Sequence, residues 1–127
     1  MKRLLIVDDE PAIAEVIESV AAGRGYAVTT TGDAEAFMAA AAALDPDVIV
    51  LDLSLPHTDG VELLRLLAET GCRARILIVS GFDERVLETS GRLGAALGLD
   101  VAGTLNKPIR IAELRSALAR LEHEALL

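Results

Sequence analysis

The sequence contains very few aromatic residues: no tryptophan, one tyrosine and two phenylalanines in 127 residues. Proteins that bind single-stranded nucleic acid usually stack the bases on aromatic side chains, so this composition argues against that function. Basic residues are also scarce, because 12 lysines and arginines against 20 aspartates and glutamates leave a formal net charge of −8. Since neutralising a phosphate backbone needs a surplus of positive charge, we expect no direct nucleic-acid partner.

The chain has one cysteine and no long hydrophobic run. Cys72 alone cannot form an internal disulfide or a cysteine-based metal cluster. The apolar run Leu4–Val7 stops at Asp8, which is too short for a signal peptide, and no segment approaches the roughly 18 apolar residues of a membrane helix. We therefore expect a cytoplasmic protein with no membrane partner. Hydrophobic residues still make up 52% of the chain, enough to exclude disorder and to fill one domain spanning residues 1–127.

Short apolar runs alternate with amphipathic segments along the whole chain. The predicted strands are Leu4–Val7, Tyr26–Thr30, Val48–Leu51, Ile76–Val79 and Val101–Leu105. The predicted helices are Pro11–Ala22, Ala34–Leu44 (capped by Asp33), Val61–Glu69, Asp83–Leu97 and Arg110–Glu124. Apolar runs without a polar face suit strands that are covered by helices on both sides. This alternation predicts an α/β domain with a parallel sheet, with the more polar strand Tyr26–Thr30 at an edge.

Polar side chains follow most of the predicted strands. The first strand ends in Asp8-Asp9-Glu10, the third in Asp52, the fourth in Ser80 and the last in Asn106-Lys107-Pro108. In an open parallel sheet the carboxyl ends of the strands lie at one edge, where ligands bind. The pattern therefore predicts three carboxylates, a hydroxyl and an ammonium group in one crevice.

Such a group of carboxylates needs a cation, because like charges raise one another's pKa. Lys107 supplies one positive charge, and oxygen ligands without histidine or cysteine favour a hard ion such as Mg²⁺. A divalent ion and a lysine beside an aspartate are also what phosphoryl transfer to that aspartate requires.

Four motifs together resemble the receiver domain of bacterial two-component response regulators, the family of the chemotaxis response regulator. They are Asp8-Asp9, the segment from Asp52 to Gly60, Val79-Ser80-Gly81 and Lys107-Pro108. The motifs occur in the family's order, each at a strand end, and the resemblance covers nearly the whole chain. It implies a flavodoxin-like (βα)5 three-layer sandwich whose parallel strands run in the order 2-1-3-4-5.

The resemblance also implies a role for each site residue. Asp52 is the phospho-acceptor. Mg²⁺ is bound directly by Asp9, through water by Asp8, and by Asp52 and the backbone carbonyl of Ser54. Lys107 pairs with the phosphoryl group. The Lys107–Pro108 peptide bond is cis. The hydroxyl of Ser80 turns inward to hydrogen-bond the phosphoryl group.

The implied partners are a histidine kinase or a histidine phosphotransfer protein as phosphoryl donor, and a downstream protein or a fused output domain as target. The target binds the face formed by the fourth helix, fifth strand and fifth helix. The implied oligomeric state is a monomer or a weak phosphorylation-dependent dimer. No enzymatic activity is implied beyond the domain's own phosphotransfer and slow dephosphorylation.

Three positions depart from the family pattern or vary within it. Thr104 stands where many receivers carry an aromatic residue, so rotation of a ring cannot be the output step. Ser54 and Phe82 occupy the positions that flank the path of the hydrolytic water in this family. We hypothesise that Phe82 shields the aspartyl phosphate and slows its loss.

The fourth predicted helix contains Gly91 and Gly94 and is followed by Gly98. Because each glycine in a helix interior costs up to about 1 kcal/mol relative to alanine, we expect this helix to be the least stable element, frayed or broken near Gly91. The alternative is that the glycines permit close packing.

Two other functions compete with a phosphorylated receiver. One is a Mg²⁺-dependent phosphohydrolase of the haloacid-dehalogenase type, but such enzymes carry an aspartate where this sequence has Ser54. The other is a degenerate receiver that binds partners without being phosphorylated, but all five expected site residues are present.

Overall fold

A computed structural model of the chain describes residues 2–126 and the side chains of residues 2–122. Five strands alternate with five helices along the chain, as predicted. The strands are β1 (Arg3–Val7), β2 (Ala27–Thr31), β3 (Val48–Asp52), β4 (Arg75–Ser80) and β5 (Asp100–Asn106). The helices are α1 (Pro11–Gly23), α2 (Ala34–Leu44), α3 (Gly60–Glu69), α4 (Glu84–Ala96) and α5 (Ile111–Leu126).

All strand pairs in the sheet are parallel, and the strand order is β2-β1-β3-β4-β5. The flavodoxin-like fold predicted from the sequence is therefore confirmed, with β2 at one edge. Val7 pairs with Leu51, and Ser80 pairs with Asn106. This register brings the residues that follow β1, β3, β4 and β5 to the same edge of the sheet, here called the carboxyl edge.

Two apolar layers cover the sheet, one on each face. Alternate residues of each central strand point to opposite faces, as the pleat requires. On one face, Leu5 and Ile49 pack with residues of α2, α3 and α4. On the other face, Leu4 and Val50 pack with residues of α1 and α5. Among the described residues, no helix is long and apolar enough to cross a membrane.

Three aspartates begin helices and so fix the loops beside the carboxyl edge. The side chain of Asp33 accepts a hydrogen bond from the backbone N–H of Ala36, which confirms the predicted cap of α2. Asp59 and Asp83 cap α3 and α4 in the same way, as aspartate at this position commonly does. Helix α4 therefore begins at Glu84, one residue later than predicted, and Asp83 is its cap.

The predicted break in α4 is wrong, because the helix runs continuously from Glu84 to Ala96. A Cβ added at Gly94 would lie 2.8 Å from the side chain of Val101, and one at Gly91 would lie 3.6 Å from the Thr104 methyl group. Glycine therefore lets α4 approach β5 closely at Gly94. This packing agrees with the alternative explanation of the glycines and offsets part of their cost to the helix.

Candidate functional site

The carboxylate of Asp52 lies at the centre of the carboxyl edge. Asp52 is the last residue of β3, a strand that is buried along its whole length, and its side chain is 1% exposed. One carboxylate oxygen, Oδ1, accepts a hydrogen bond of 2.8 Å from the backbone N–H of Ser54. The other, Oδ2, accepts one of 3.0 Å from Lys107 Nζ. Both oxygens are thus held in fixed directions.

Asp52 belongs to a cluster of four acidic side chains with Asp8, Asp9 and Glu10, whose ligand oxygens lie within 4.8 Å of one another. Asp8 is as deeply buried as Asp52, whereas Asp9 and Glu10 are exposed. Burial raises the pKa of Asp8 above its ordinary value, and the charge of Asp52 adds to the rise, while the Glu10 amide and Lys107 oppose it. Keeping the Asp8 carboxylate ionised in the folded protein therefore costs free energy.

Lys107 is the cation of the site. Its Nζ lies 3.0 Å from Glu10 Oε1, 3.0 Å from Asp52 Oδ2 and 3.3 Å from Asp8 Oδ2. Burial alone would lower the pKa of Lys107, but the hydrogen bonds that Lys107 donates to Glu10 and Asp52, and the charges of Asp52 and Asp8, raise it above its ordinary value. The predicted cis Lys107–Pro108 peptide is present. The backbone N–H of Lys107 donates a hydrogen bond of 2.8 Å to the carbonyl of Ser80.

The charges of the site do not balance. Four carboxylates around one ammonium group leave a surplus of three negative charges when all are ionised. Asp8 Oδ2 is buried and accepts no hydrogen bond. Lys107 Nζ lies 3.3 Å away, within ion-pair distance, but does not form a hydrogen bond with this oxygen. An unpartnered carboxylate oxygen facing other carboxylates, with no sulfur or imidazole ligand nearby, fits a hard divalent cation such as Mg²⁺.

Ser80 lies beside this cluster and is fully buried at the end of β4. Its Oγ accepts a hydrogen bond of 3.0 Å from the backbone N–H of Phe82 and lies 3.4 Å from Ser54 Oγ. The Ser80 hydroxyl is therefore held by Ser54 and the Phe82 amide, and its hydrogen bond to a phosphoryl group stays a prediction.

The remaining predicted positions, Phe82 and Thr104, lie outside the acidic cluster. Phe82 is 50% exposed, and its carbonyl accepts a hydrogen bond of 3.1 Å from Asn106 Nδ2. Thr104 is exposed on β5, where its methyl group faces α4. Thr104 can influence the site through the α4–β5 contact, and Phe82 through the loop between β4 and α4 or through its half-exposed ring.

The sequence reasoning missed Glu10 as a site residue. Its carboxylate is one of the three that surround Lys107 Nζ. The signal was present, because Glu10 directly follows Asp8 and Asp9 at the end of β1. The side-chain contact between Ser54 and Ser80 was also missed, and no sequence pattern could have revealed it, since it depends on the paths of two loops.

A family model described as the response regulator receiver domain matches residues 4–119. Among curated proteins, the DNA-binding response regulator MtrA of Mycolicibacterium smegmatis is 32% identical over 97% of this chain and 53% of its own length. The alkaline phosphatase synthesis transcriptional regulatory protein PhoP of Bacillus subtilis is 36% identical over 78% of this chain and 40% of its own length. The chain thus spans about half the length of these relatives or less.

Solved structures of response regulators are also similar to this chain. The chemotaxis response regulator CheY4 of Vibrio cholerae superimposes with a TM-score of 0.81 at 26% identity, covering 95% of this chain and 98% of the other. A response regulator from Colwellia psychrerythraea superimposes with a TM-score of 0.83 at 31% identity, covering 97% and 98%. In both cases the likeness extends over nearly the whole of both chains.

Proposed function

The chain belongs to the response regulator receiver family, and from that premise we propose that it accepts a phosphoryl group on Asp52 from a histidine kinase or a histidine phosphotransfer protein. The observation that carries this proposal is the buried Asp52 carboxylate, held by Lys107 inside a surplus of negative charge. A protein that used Asp52 only for stability would gain little from three further carboxylates beside it. A site that receives a cation and a phosphoryl group would use such a surplus of negative charge to hold the cation.

In the proposed reaction, a carboxylate oxygen of Asp52 attacks the phosphorus atom of a phosphohistidine. The new P–O bond forms as the P–N bond breaks, and its electron pair leaves on the imidazole nitrogen. Lys107 Nζ, 3.0 Å from Asp52 Oδ2, is within reach of the oxygens of the incoming group. Asp8, Asp9, Asp52 and the Ser54 carbonyl would hold Mg²⁺, which supplies neutralising charge for the phosphoryl oxygens when it is bound.

We propose that the signal leaves through the loop between β4 and α4 and the face formed by α4, β5 and α5. Ser80 begins that loop, and α4 packs closely on β5 at Gly94. Because Thr104 has no ring to rotate, the output step is a displacement of backbone and of α4. The target is a downstream protein or a fused output domain, and the net charge of −8 makes direct DNA contact by this chain unfavourable.

We also propose that the protein does not turn over external phosphate esters and acts in the cytoplasm as a monomer or a weak phosphorylation-dependent dimer. Ser54 stands where haloacid-dehalogenase-type phosphatases have a second aspartate. The longest connection among the described residues is the segment 53–59. No part of the chain between residues 2 and 126 is therefore long enough to fold over the site as a substrate-enclosing cap.

Incubation with acetyl phosphate and Mg²⁺ tests the acceptor. Intact-mass spectrometry should show a gain of one phosphoryl group in the wild type, and the gain should disappear in Asp52→Asn and on adding a chelator. Asp33→Asn is the matched control, because asparagine caps a helix as well as aspartate does, and it should be phosphorylated like the wild type. Persistent phosphorylation of Asp52→Asn would overturn the assignment of the acceptor.

The lifetime of the phosphorylated form tests the proposed slow dephosphorylation. If the half-exposed Phe82 ring shields the aspartyl phosphate from water, Phe82→Ala should shorten the lifetime a few-fold, measured by loss of the added mass after removal of the donor. Val86→Ala removes another exposed apolar side chain nearby in α4 and should leave the lifetime unchanged. Equal lifetimes for Phe82→Ala and the wild type would reject shielding.

A further inference from the structure

Two serine hydroxyls hold two consecutive backbone amides at the start of the loop between β4 and α4. The N–H of Gly81 donates to Ser54 Oγ over 3.3 Å, and the N–H of Phe82 donates to Ser80 Oγ over 3.0 Å. The two hydroxyl oxygens are themselves 3.4 Å apart. The side chain of Ser54, in the loop after β3, thus contacts both the Ser80 side chain and the backbone N–H of Gly81.

Ser54 also contacts the acceptor carboxylate. Its own backbone N–H donates to Asp52 Oδ1 over 2.8 Å. One residue therefore contacts both the group that would be phosphorylated and the loop that would respond. Ser54 is half-buried and Ser80 is buried, so water competes less for their contacts than it would at an open surface.

We propose that Ser54 is a positioning residue whose hydroxyl latches the β4–α4 loop in its unphosphorylated conformation. This inference rests on the proposed function, since it concerns how the loop is released when Asp52 is modified. In the proposed switch, Ser80 moves toward a phosphoryl group on Asp52 and its Oγ leaves Ser54. Since Gly81 directly follows Ser80, the proposed movement also draws the Gly81 N–H away from Ser54.

The latch therefore opposes switching, and its removal should favour the switched state. A net hydrogen bond contributes roughly 0.5–1.5 kcal/mol, which corresponds to a change of about two- to tenfold in an equilibrium constant. Ser54→Ala removes only the hydroxyl, because the backbone N–H and carbonyl of residue 54 remain. Beryllofluoride, a stable phosphoryl mimic, should then bind with Mg²⁺ about two- to tenfold more tightly than to the wild type.

The experiment uses two measurements on four proteins: the wild type, Ser54→Ala, Ser54→Thr and Thr58→Ala. The first is the temperature coefficient of the Gly81 and Phe82 amide resonances without ligand. The second is beryllofluoride affinity with Mg²⁺, an equilibrium quantity that hydrolysis cannot affect. Ser54→Thr keeps the hydroxyl and should restore the wild-type values, and Thr58→Ala is the control for removing a hydroxyl from the same loop.

We expect Ser54→Ala to shift the Gly81 amide toward a solvent-exposed coefficient and to leave the Phe82 amide unchanged, because Phe82 donates to Ser80. An unchanged Gly81 amide would overturn the latch, whatever the phosphorylation assay shows. A changed Gly81 amide with unchanged beryllofluoride affinity would overturn its role in switching. Failure of the wild type to bind beryllofluoride would overturn the proposed function itself, and the role of the latch in switching with it.

Discussion

The two edges of the sheet use charge in opposite ways. At the opposite edge, where the strands begin (the amino edge), ion pairs join neighbouring elements near the surface, such as Arg24 with Glu122 at 2.7 Å and Arg75 with Asp100 at 3.2 Å. At the carboxyl edge, Lys107 faces a cluster of four carboxylates and contacts three of them, and two of the four, Asp8 and Asp52, are almost fully buried. The protein thus balances its charges where they tie elements together and leaves a surplus of negative charge where we propose that it binds a ligand.

The difference separates charges that serve the fold from charges that serve function. Exposed ion pairs contribute little to stability and are easily tolerated. Buried, incompletely paired carboxylates destabilise a domain. Among the side chains of residues 2–122, the buried carboxylates are Asp8 and Asp52, both at the carboxyl edge. This placement is consistent with a ligand that compensates them, and substitutions at the two edges should therefore have different consequences.

Lys107→Ala should have the largest effect on ligand binding. Hydrogen bonds to charged groups are worth roughly 1.5–3 kcal/mol, so beryllofluoride binding with Mg²⁺ should weaken by about tenfold or more. Arg24→Ala removes a cation from the amino edge and should leave the affinity unchanged. Equal losses in the two variants, measured by calorimetric titration, would remove the distinction between the edges.

Asp8→Asn and Glu122→Gln should change stability in opposite directions in Mg²⁺-free buffer. Asn at position 8 can keep the hydrogen bond from the Glu10 amide while removing a buried charge, so the free energy of unfolding should rise by about 1 kcal/mol, a common size for single substitutions. Glu122→Gln removes the charge that pairs with Arg24, so stability should fall, by the smallest amount of these changes. Urea unfolding at neutral pH measures both.

The pH dependence of the second variant sharpens the test. The hydrogen bond from Arg24 holds the pKa of Glu122 below its ordinary value of 4.5. Its contribution is therefore present above pH 4.5 and is lost as the pH falls through the lowered pKa. The stability difference between the wild type and Glu122→Gln should accordingly vanish in acid. A difference that persists there would mean that the side chain acts through packing and not through its charge.

Much of the fold could be predicted because local patterns and the global structure agree. Apolar runs such as Val48–Leu51 have no polar face and became central strands, and Asp33 begins α2 as expected. The edge strand was displaced by one residue, because Tyr26 packs into the core before β2 begins at Ala27. Propensity alone wrongly predicted a break in α4, because it does not include tertiary contacts such as the packing of Gly94 on Val101, while the predicted low stability of α4 stays a prediction.

The site was less predictable at the level of contacts. The strand ends and the family motifs indicated which side chains would meet, and Asp8, Asp52, Ser80 and Lys107 do lie together at the carboxyl edge. Which acid contacts Lys107, and which hydroxyl faces Ser80, depends on loop paths that no periodicity encodes. The contacts of the Ser54 hydroxyl with Ser80 and with the Gly81 N–H are the clearest example.

The dependence of stability on Mg²⁺ tests most directly whether the charge surplus at the carboxyl edge is a cation site. The free energy of unfolding of the wild type should be measured in urea at increasing Mg²⁺, with ionic strength held constant by NaCl. We predict that it rises by about 1.4 kcal/mol for each tenfold increase above the Kd, and that a chelator reverses the rise. A free energy of unfolding that does not change with Mg²⁺ would contradict the proposed cation site.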